Sequence, residues 1–287
     1  MPVIEINGGN VVYEILGDSG QLIVLTPGGR FGMDFRGVRP LAEALVAGGH
    51  RVLLWDRPNC GASDVQFFGP SESHMRAETL ANLLRALGTG PVVLAGGSGG
   101  ARDSMITAIE YPDLVTKLVL WNIVGGIPGL FTLSWVYIMP TISALRAKGI
   151  EGVLKVPEWK QRIEANPKNR ERLLALDEAE FTRLMYRWLN AYVPQAGQTI
   201  AGLPDDRLAD IHVPTRIIRG GAADPDHPKR TSLEVSCLIP GAEVVDPPWR
   251  EDAWEANLKA QGRGEDVGIF DPWVLAAPTI LEFVDRA

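Results

Sequence analysis

Apolar positions along this chain follow two rhythms that take turns. Short, nearly continuous apolar runs at Gln21–Leu25, Arg51–Trp55, Val92–Ala95 and Lys117–Trp121 predict buried strands. Between them stand segments with one apolar helical face. Pro40–Ala47 is closed by Gly48-Gly49, and a longer segment opens at Ser71 or Ser73 and runs to Leu87. Its apolar positions include Met75, Leu80, Leu83, Leu84 and Leu87, and Gly88 is its stop. At the start, Val3–Ile6 and Val11–Ile15 alternate around Asn7-Gly8-Gly9-Asn10, which predicts a hairpin. Strands that alternate with helices imply an α/β fold, a mostly parallel sheet with helices on both faces. Such sheets bind ligands at the carboxyl ends of their strands, where loops 26–31, 56–63, 96–100, 122–126 and 220–227 fall.

From 127 to 210 the alternation stops and helical patterns remain, for example Glu171–Leu176 and Glu178–Tyr192. Strand character returns at Val213–Gly220. The pattern therefore divides the chain into a core of residues 1–126 and 211–287 and a helical lid of residues 127–210. The lid is rich in aromatics, and some of Trp135, Tyr137, Trp159, Trp188 and Tyr192 are expected to roof a pocket while others pack lid on core. Trp135 and Trp188 are the two expected to meet substrate.

Composition narrows the function. A net charge of −7 without a basic block argues against a nucleic-acid binder and suits a small-molecule partner. Cys60 and Cys237 are too few and too far apart for a disulfide framework or a zinc site. No metal or cofactor is expected. The most apolar region, Leu118–Met139, is interrupted by Asn122, Gly125, Gly126, Pro128 and Gly129, so no membrane span is expected. The N-terminus shows no basic and apolar leader pattern, and the expectation is a cytoplasmic protein, with a homodimer left open.

The candidate chemistry centres on Gly96-Gly97-Ser98-Gly99-Gly100, which follows the run Pro91–Ala95 and precedes a helical pattern at Ala101, Met105 and Ile109. A G-x-S-x-G between strand and helix reads as a nucleophile elbow. The turn is sharp, so the neighbouring positions have no room for side chains. The Gly99 N–H then sits at a helix N-terminus, which favours a developing oxyanion.

Other segments extend the picture. Thr26-Pro27-Gly28-Gly29, Asp56–Ser63, Pro112–Leu120, Val213–Asp224 and Ile239–Val245 stand in the order and spacing of the α/β-hydrolase superfamily, which this chain resembles over nearly its whole length outside the lid. The resemblance implies that Ser98 is the nucleophile, that Gly29 and Gly99 supply the oxyanion hole with Arg30 as the second choice, and that Asp224 is the orienting acid. Asp224 also reads as a plain turn residue before Pro225.

The superfamily's histidine should follow the last strand, and here that segment is Asp246–Asp252 with none. His50 and His212 precede strands at the wrong end of the sheet, and His74 begins a helix. His227 alone falls on a site-side loop, and it reads either as a relocated base or as the start of the next helix. Its three-residue offset from Asp224 makes a standard triad between them unexpected without a loop rearrangement, so the ring is expected to be oriented by Asp224 or by another acid such as Asp246 or Asp252. Arg30, Arg57 and Arg102 lie on or beside site loops and read either as surface ion pairs or as a clamp for an anionic group. The expectation is a serine hydrolase that cleaves an ester, amide or lactone of a small, partly apolar molecule. Two alternatives are a lyase or cyclase on the same scaffold, and a catalytically silent protein that binds an apolar ligand.

Overall fold

The computed structural model of the protein describes residues 1–222 and 224–286; Ala223, within the expected acid-bearing stretch, lies outside them. The strands are β1 (Val3–Ile6), β2 (Gly9–Leu16), β3 (Leu22–Thr26), β4 (Arg51–Trp55), β5 (Val92–Gly97), β6 (Val115–Trp121), β7 (Thr215–Ile218) and β8 (Glu243–Val245). They form one sheet in the order β1-β2-β4-β3-β5-β6-β7-β8. β1 and β2 form the expected hairpin, β2 runs antiparallel to β4, and the remaining pairs are parallel.

Each central strand is apolar on both sides because both faces are covered. Val24, Leu53, Leu94, Leu118 and Ile217 point to one core, which they share with helices α2 (Glu72–Leu87), α3 (Gly99–Glu110) and α9 (Lys229–Leu238). Ile23, Leu25, Val93, Ala95 and Val119 point to the other, against α1 (Val38–Ala47) and α11 (Ala277–Val284). The two sets alternate along the strands, as the pleat requires. Ser71 caps α2, its Oγ accepting the N–H of His74, and Gly88 closes that helix in the left-handed conformation.

The lid region holds α4 (Gly126–Leu133), a π-helical stretch Ser134–Ile138, α5 (Met139–Val153), α6 (Pro157–Ala165), α7 (Lys168–Leu174) and α8 (Glu178–Asn190). Its own core is built on Trp159, Phe181, Met185 and Trp188, and Val65 and Met75 from the main body join it. Ile200, Leu203, Leu208 and Ile211 pack instead with the sheet core, although most lie inside the 127–210 stretch. From Gly126 to Ala165, a stretch that includes Pro128 and Gly129, the helical run is long and apolar enough to cross a membrane by length and composition alone. The run bends where Lys148 and Gly149 leave helical geometry.

Candidate active site

The site is assembled at the carboxyl ends of β3, β5 and β7. Gly97 at the end of β5 pairs with Trp121 of β6, and Trp121 pairs with Ile218 of β7. The β7 loop therefore reaches across one strand to meet Ser98. Ser98 has φ 55° and ψ −120°, a strained conformation at the junction of β5 and α3. Close packing explains the flanking glycines. A Cβ on Gly96 would lie 2.4 Å from the Gly100 carbonyl oxygen, and one on Gly100 would lie 2.1 Å from that of Thr26.

The loop after β3 lies against this elbow. A Cβ on Gly28 would meet Ser98 Cβ at 2.7 Å, and one on Gly99 would stand 3.1 Å from the Gly29 nitrogen. Among the described residues neither the Gly29 nor the Gly99 N–H has a backbone acceptor. Arg57 fixes this loop from behind, donating from Nη2 to the carbonyls of Gly28 at 2.9 Å and Gly29 at 3.0 Å. With the carbonyls held there, the Gly29 N–H is free to face the serine.

His227 Nε2 stands 3.0 Å from Ser98 Oγ, and its Nδ1 stands 3.0 Å from Asp224 Oδ2. The carboxylate accepts only, so Nδ1 carries the hydrogen and Nε2 presents a lone pair to the hydroxyl. Of the acids left open by the sequence, Asp224 meets the ring, and Asp246 and Asp252 do not. Asp246 is held by Arg219 at 2.7 Å and Asp252 by Arg250 at 2.8 Å. The three-residue offset works because Asp224 closes its own turn. Its Oδ1 accepts the N–H of Asp226 at 3.0 Å and of His227 at 2.9 Å, which curls the loop until Oδ2 meets the imidazole.

The segment where a histidine was sought does other work. Trp254, on α10 (Ala253–Gly262), packs edge-on against His227 with ring centroids 4.4 Å apart, and its Nε1 donates to Asp226 at 2.9 Å. Glu251 accepts from the Ala222 N–H at 2.7 Å and pairs with Arg219 at 2.5 Å. Nothing in the sequence pattern singled out Trp254. Its position after the last strand was the only available signal.

A cavity of about 160 Å³ opens on Ser98 and His227, lined mainly by Phe31, Val124, Leu133, Tyr137, Trp254 and Phe270. A larger groove of about 860 Å³ beside α9 contains none of Ser98, Asp224 or His227. The smaller cavity is the relevant one because it touches the hydroxyl. Burial pushes the Tyr137 hydroxyl up to about 12, helped by the nearby Glu158 carboxylate, so it remains a donor. Two expected substrate contacts do not face this cavity. Trp135 is 71 % exposed on the outer side of the lid. Trp188 is fully buried, donates to the Gly69 carbonyl and lies tilted beside Phe67 inside the lid core, with ring centroids 6.1 Å apart. Trp135 shares a helical stretch with Tyr137, which does line the cavity, and Trp188 shares a face of α8 with Phe181 and Met185 in the lid core, so residue type suggested a role that helical phase denies.

The arginines are not surface groups. Arg57 is fully buried and pairs with Asp103 at 2.9 Å. Arg30 pairs with Glu72 at 2.9 Å and with Glu158 of the lid at 2.7 Å. Burial works to raise the Glu72 carboxyl, but Arg30 and Arg76 outweigh it and hold it at about 2. Burial wins at Glu158, whose carboxyl is pushed up despite Arg30. Arg102 donates from Nε to Ser73 at 2.7 Å and lies over the Tyr192 ring. Among the described residues no group of three or more histidines, cysteines or carboxylates is placed to hold a metal ion.

Comparison with known proteins agrees with this architecture. The model of the alpha/beta hydrolase family matches residues 23–270. The 2-hydroxy-6-oxononadienedioate/2-hydroxy-6-oxononatrienedioate hydrolase of Escherichia coli (strain K12) is 32% identical over 224 residues, which is 73% of this chain and 71% of that protein. The hydrolase of the same name from Klebsiella pneumoniae is 29% identical over 248 residues, 79% of each chain. Among solved structures, an enol-lactonase from Burkholderia xenovorans LB400 superposes with a TM-score of 0.63 at 18% identity, covering 99% of this chain and 100% of that one. A variant of the meta-cleavage product hydrolase from Pseudomonas fluorescens IP01 gives 0.60 at 20%, covering 99% and 97%.

Proposed function

The chain belongs to the alpha/beta hydrolase family and is a hydrolase, and from that premise we propose that it works by serine acyl transfer on an ester, amide or lactone of a small, partly apolar molecule. The observation that carries this reading is the continuous relay Ser98–His227–Asp224, with both links 3.0 Å long. His227 Nε2 takes the hydroxyl proton as Ser98 Oγ bonds to the carbonyl carbon. The carbonyl oxygen becomes an oxyanion, received by the N–H groups of Gly29 and Gly99. Collapse breaks the bond to the leaving group, which takes the proton back from His227. Water then adds to the acyl ester, His227 accepts its proton, and the acid departs as Ser98 regains its hydrogen. Asp224 stays ionised throughout and holds the ring in the tautomer that leaves Nε2 free.

The cavity limits the substrate. At about 160 Å³ it is smaller than the usual range for drug-sized ligands, so a short apolar group fits beside Trp254 and Phe270. The same relay also suits a substrate cleaved next to a ketone, and the names of the Escherichia coli and Klebsiella pneumoniae relatives favour that second reading, since they specify a 6-oxo group. Parallel assays of short activated esters and of 6-oxo dienoates separate the two.

The direct test is Ser98→Ala. Turnover should fall by about three orders of magnitude or more while the fold is kept. A fluorophosphonate should label the wild type and not the variant. A folded variant that keeps more than a few per cent of activity sinks the covalent mechanism.

A further inference from the structure

Ser98 borders two cavities, the apolar one and a smaller one that continues past Gly99. Four residues line both: Gly29, Ser98, Leu133 and Tyr137. A carbonyl under attack by Ser98 Oγ lies at this junction, because there the serine stands beside Gly29 and Gly99. Gly29 and Ser98 already have roles in the reaction, and Leu133 is apolar. Tyr137 is the polar side chain that remains. Its hydroxyl is close to the oxyanion hole. A Cβ built on Gly29 would meet Tyr137 Oη first, at 2.6 Å. Among the described residues no group is hydrogen-bonded to that hydroxyl. A tyrosine hydroxyl drawn out of bulk water ordinarily finds a partner, so this one is a donor kept for something that enters the site.

The helix is built to turn Tyr137 inward. Tyr137 stands in the π-helical stretch Ser134–Ile138, where the Met139 N–H bonds to the Ser134 carbonyl five residues back. Pro140 follows and has no N–H for the Val136 carbonyl, which removes an α-helical bond at this place. The wider turn shifts the helical phase, and such stretches recur at functional sites. Trp135 is left facing outward, while Ile138 is fully buried in the lid core and fixes the next position. Just beyond, Trp159 Nε1 donates to Thr141 Oγ1 at 2.8 Å and ties the stretch to α6.

We propose that Tyr137 Oη donates a third hydrogen bond to the substrate's carbonyl oxygen, beside the N–H groups of Gly29 and Gly99, so that the lid supplies part of the oxyanion hole. The inference rests on the acyl-transfer reading. The phenol gives a hydrogen bond and keeps its proton, and the proton still passes from Ser98 to His227 and on to the leaving group. The bond strengthens as the carbonyl oxygen gains charge, so its effect falls on the transition state. The donor set is then complete only with the lid seated. Glu158 and Arg162 hold it there through the Arg30 guanidinium and the Arg30 carbonyl. An open lid leaves two donors instead of three, which ties the chemical step to lid closure.

The test uses the whole protein and Tyr137→Phe, which keeps the ring and removes only the hydroxyl. For 4-nitrophenyl butyrate, kcat/KM should fall by about tenfold to a hundredfold, in line with the loss of one oxyanion donor. Labelling by a short-chain fluorophosphonate should slow by a similar factor, because its phosphoryl oxygen takes the carbonyl's place. An internal ratio separates donation from packing. The matching thionoester puts sulfur, a weak acceptor, where the oxygen stood. The preference for ester over thionoester should shrink by about tenfold in Tyr137→Phe, since the missing bond matters only to oxygen. If both substrates slow equally and the ratio holds, Tyr137 only packs and the proposal is overturned. A second replacement, Tyr137→3,5-difluorotyrosine, keeps the shape and makes the hydroxyl more acidic. Its kcat/KM should fall as pH rises through that new ionisation, and a profile like that of the wild type overturns the proposal as well. The labelling data also tell two failures apart. A wild type that is labelled, with Tyr137→Phe labelled equally fast, overturns this inference alone. A wild type that resists labelling, with Ser98→Ala still active, overturns acyl transfer and this inference with it.

Discussion

At the scale of single residues, the notable device is a histidine and its acid on one four-residue turn. Asp224 uses one carboxylate oxygen to close the turn and the other to hold His227. His227→Ala should lower kcat by about three to four orders of magnitude, and Asp224→Asn by a comparable amount, because the amide presents a donor and selects the wrong tautomer. Steady-state kinetics on protein with unchanged circular dichroism checks both, and a near-wild-type rate in either shows that the base lies elsewhere. Trp254 acts one step back as a positioning residue. Trp254→Phe keeps the ring beside His227 but loses the bond to Asp226. The expected result is a drop of several-fold in kcat with KM little changed, and a larger drop for Trp254→Ala. If KM alone moves, Trp254 serves only as pocket wall.

At the scale of elements, the strands announced themselves and the loop partners did not. Continuous apolar runs mark β3, β4, β5 and β6 because both faces of those strands are covered, so nearly every position must be apolar. β6 begins at Val115, two residues before the Lys117 at which the pattern placed it, because a parallel ladder extends wherever a neighbour offers backbone groups. The last strand is only Glu243–Val245, since Ile239–Ala242 is taken up by the turn after α9, with the Ala242 N–H on the Ile239 carbonyl and Gly241 at φ 70°. Aromatic type was a poor guide within the lid. Tyr137 faces the cavity, while Trp135 on the same turn faces outward, and residue type alone does not report helical phase. Lid and body are joined by polar contacts as well as by packing. Asn169 accepts from the Val65 N–H at 2.8 Å, Arg162 donates to the Arg30 carbonyl at 2.8 Å, and Glu158 pairs with Arg30.

At the scale of the whole molecule, the charges buried between lid and sheet make stability depend on pH. Glu72 is held at about 2 against its usual 4.5, so its contribution is complete above pH 4.5 and is lost as pH falls toward 2. Glu158 is pushed up instead, so its contribution has the opposite sign and partly offsets the loss as pH falls. Glu72→Gln should therefore destabilise the protein at pH 7 by about 3–5 kcal/mol, the usual cost of breaking a buried pair. Its stability should also change less with pH between 4.5 and 2 than that of the wild type. Urea midpoints at pH 7 and pH 3 check this, and an unchanged midpoint at pH 7 shows that the network adds nothing to stability.

The sequence by itself determined the layered α/β architecture, the elbow at Ser98, the order of the site loops and the helical character of residues 127 to 190. These are local properties. They depend on apolar periodicity, on glycine where a Cβ would clash, and on turn chemistry, all of which are written residue by residue. Tertiary structure alone decided which carboxylate meets His227, which arginines are paired and which keep a free donor, and which aromatics reach the cavity. Each of these depends on distance between segments far apart in the chain, or on the exact curl of a short loop. Neither leaves a periodic trace. The relay from Ser98 to Asp224 exists because β5 and β7 stand one strand apart and because the Asp224 turn points its histidine back across that gap.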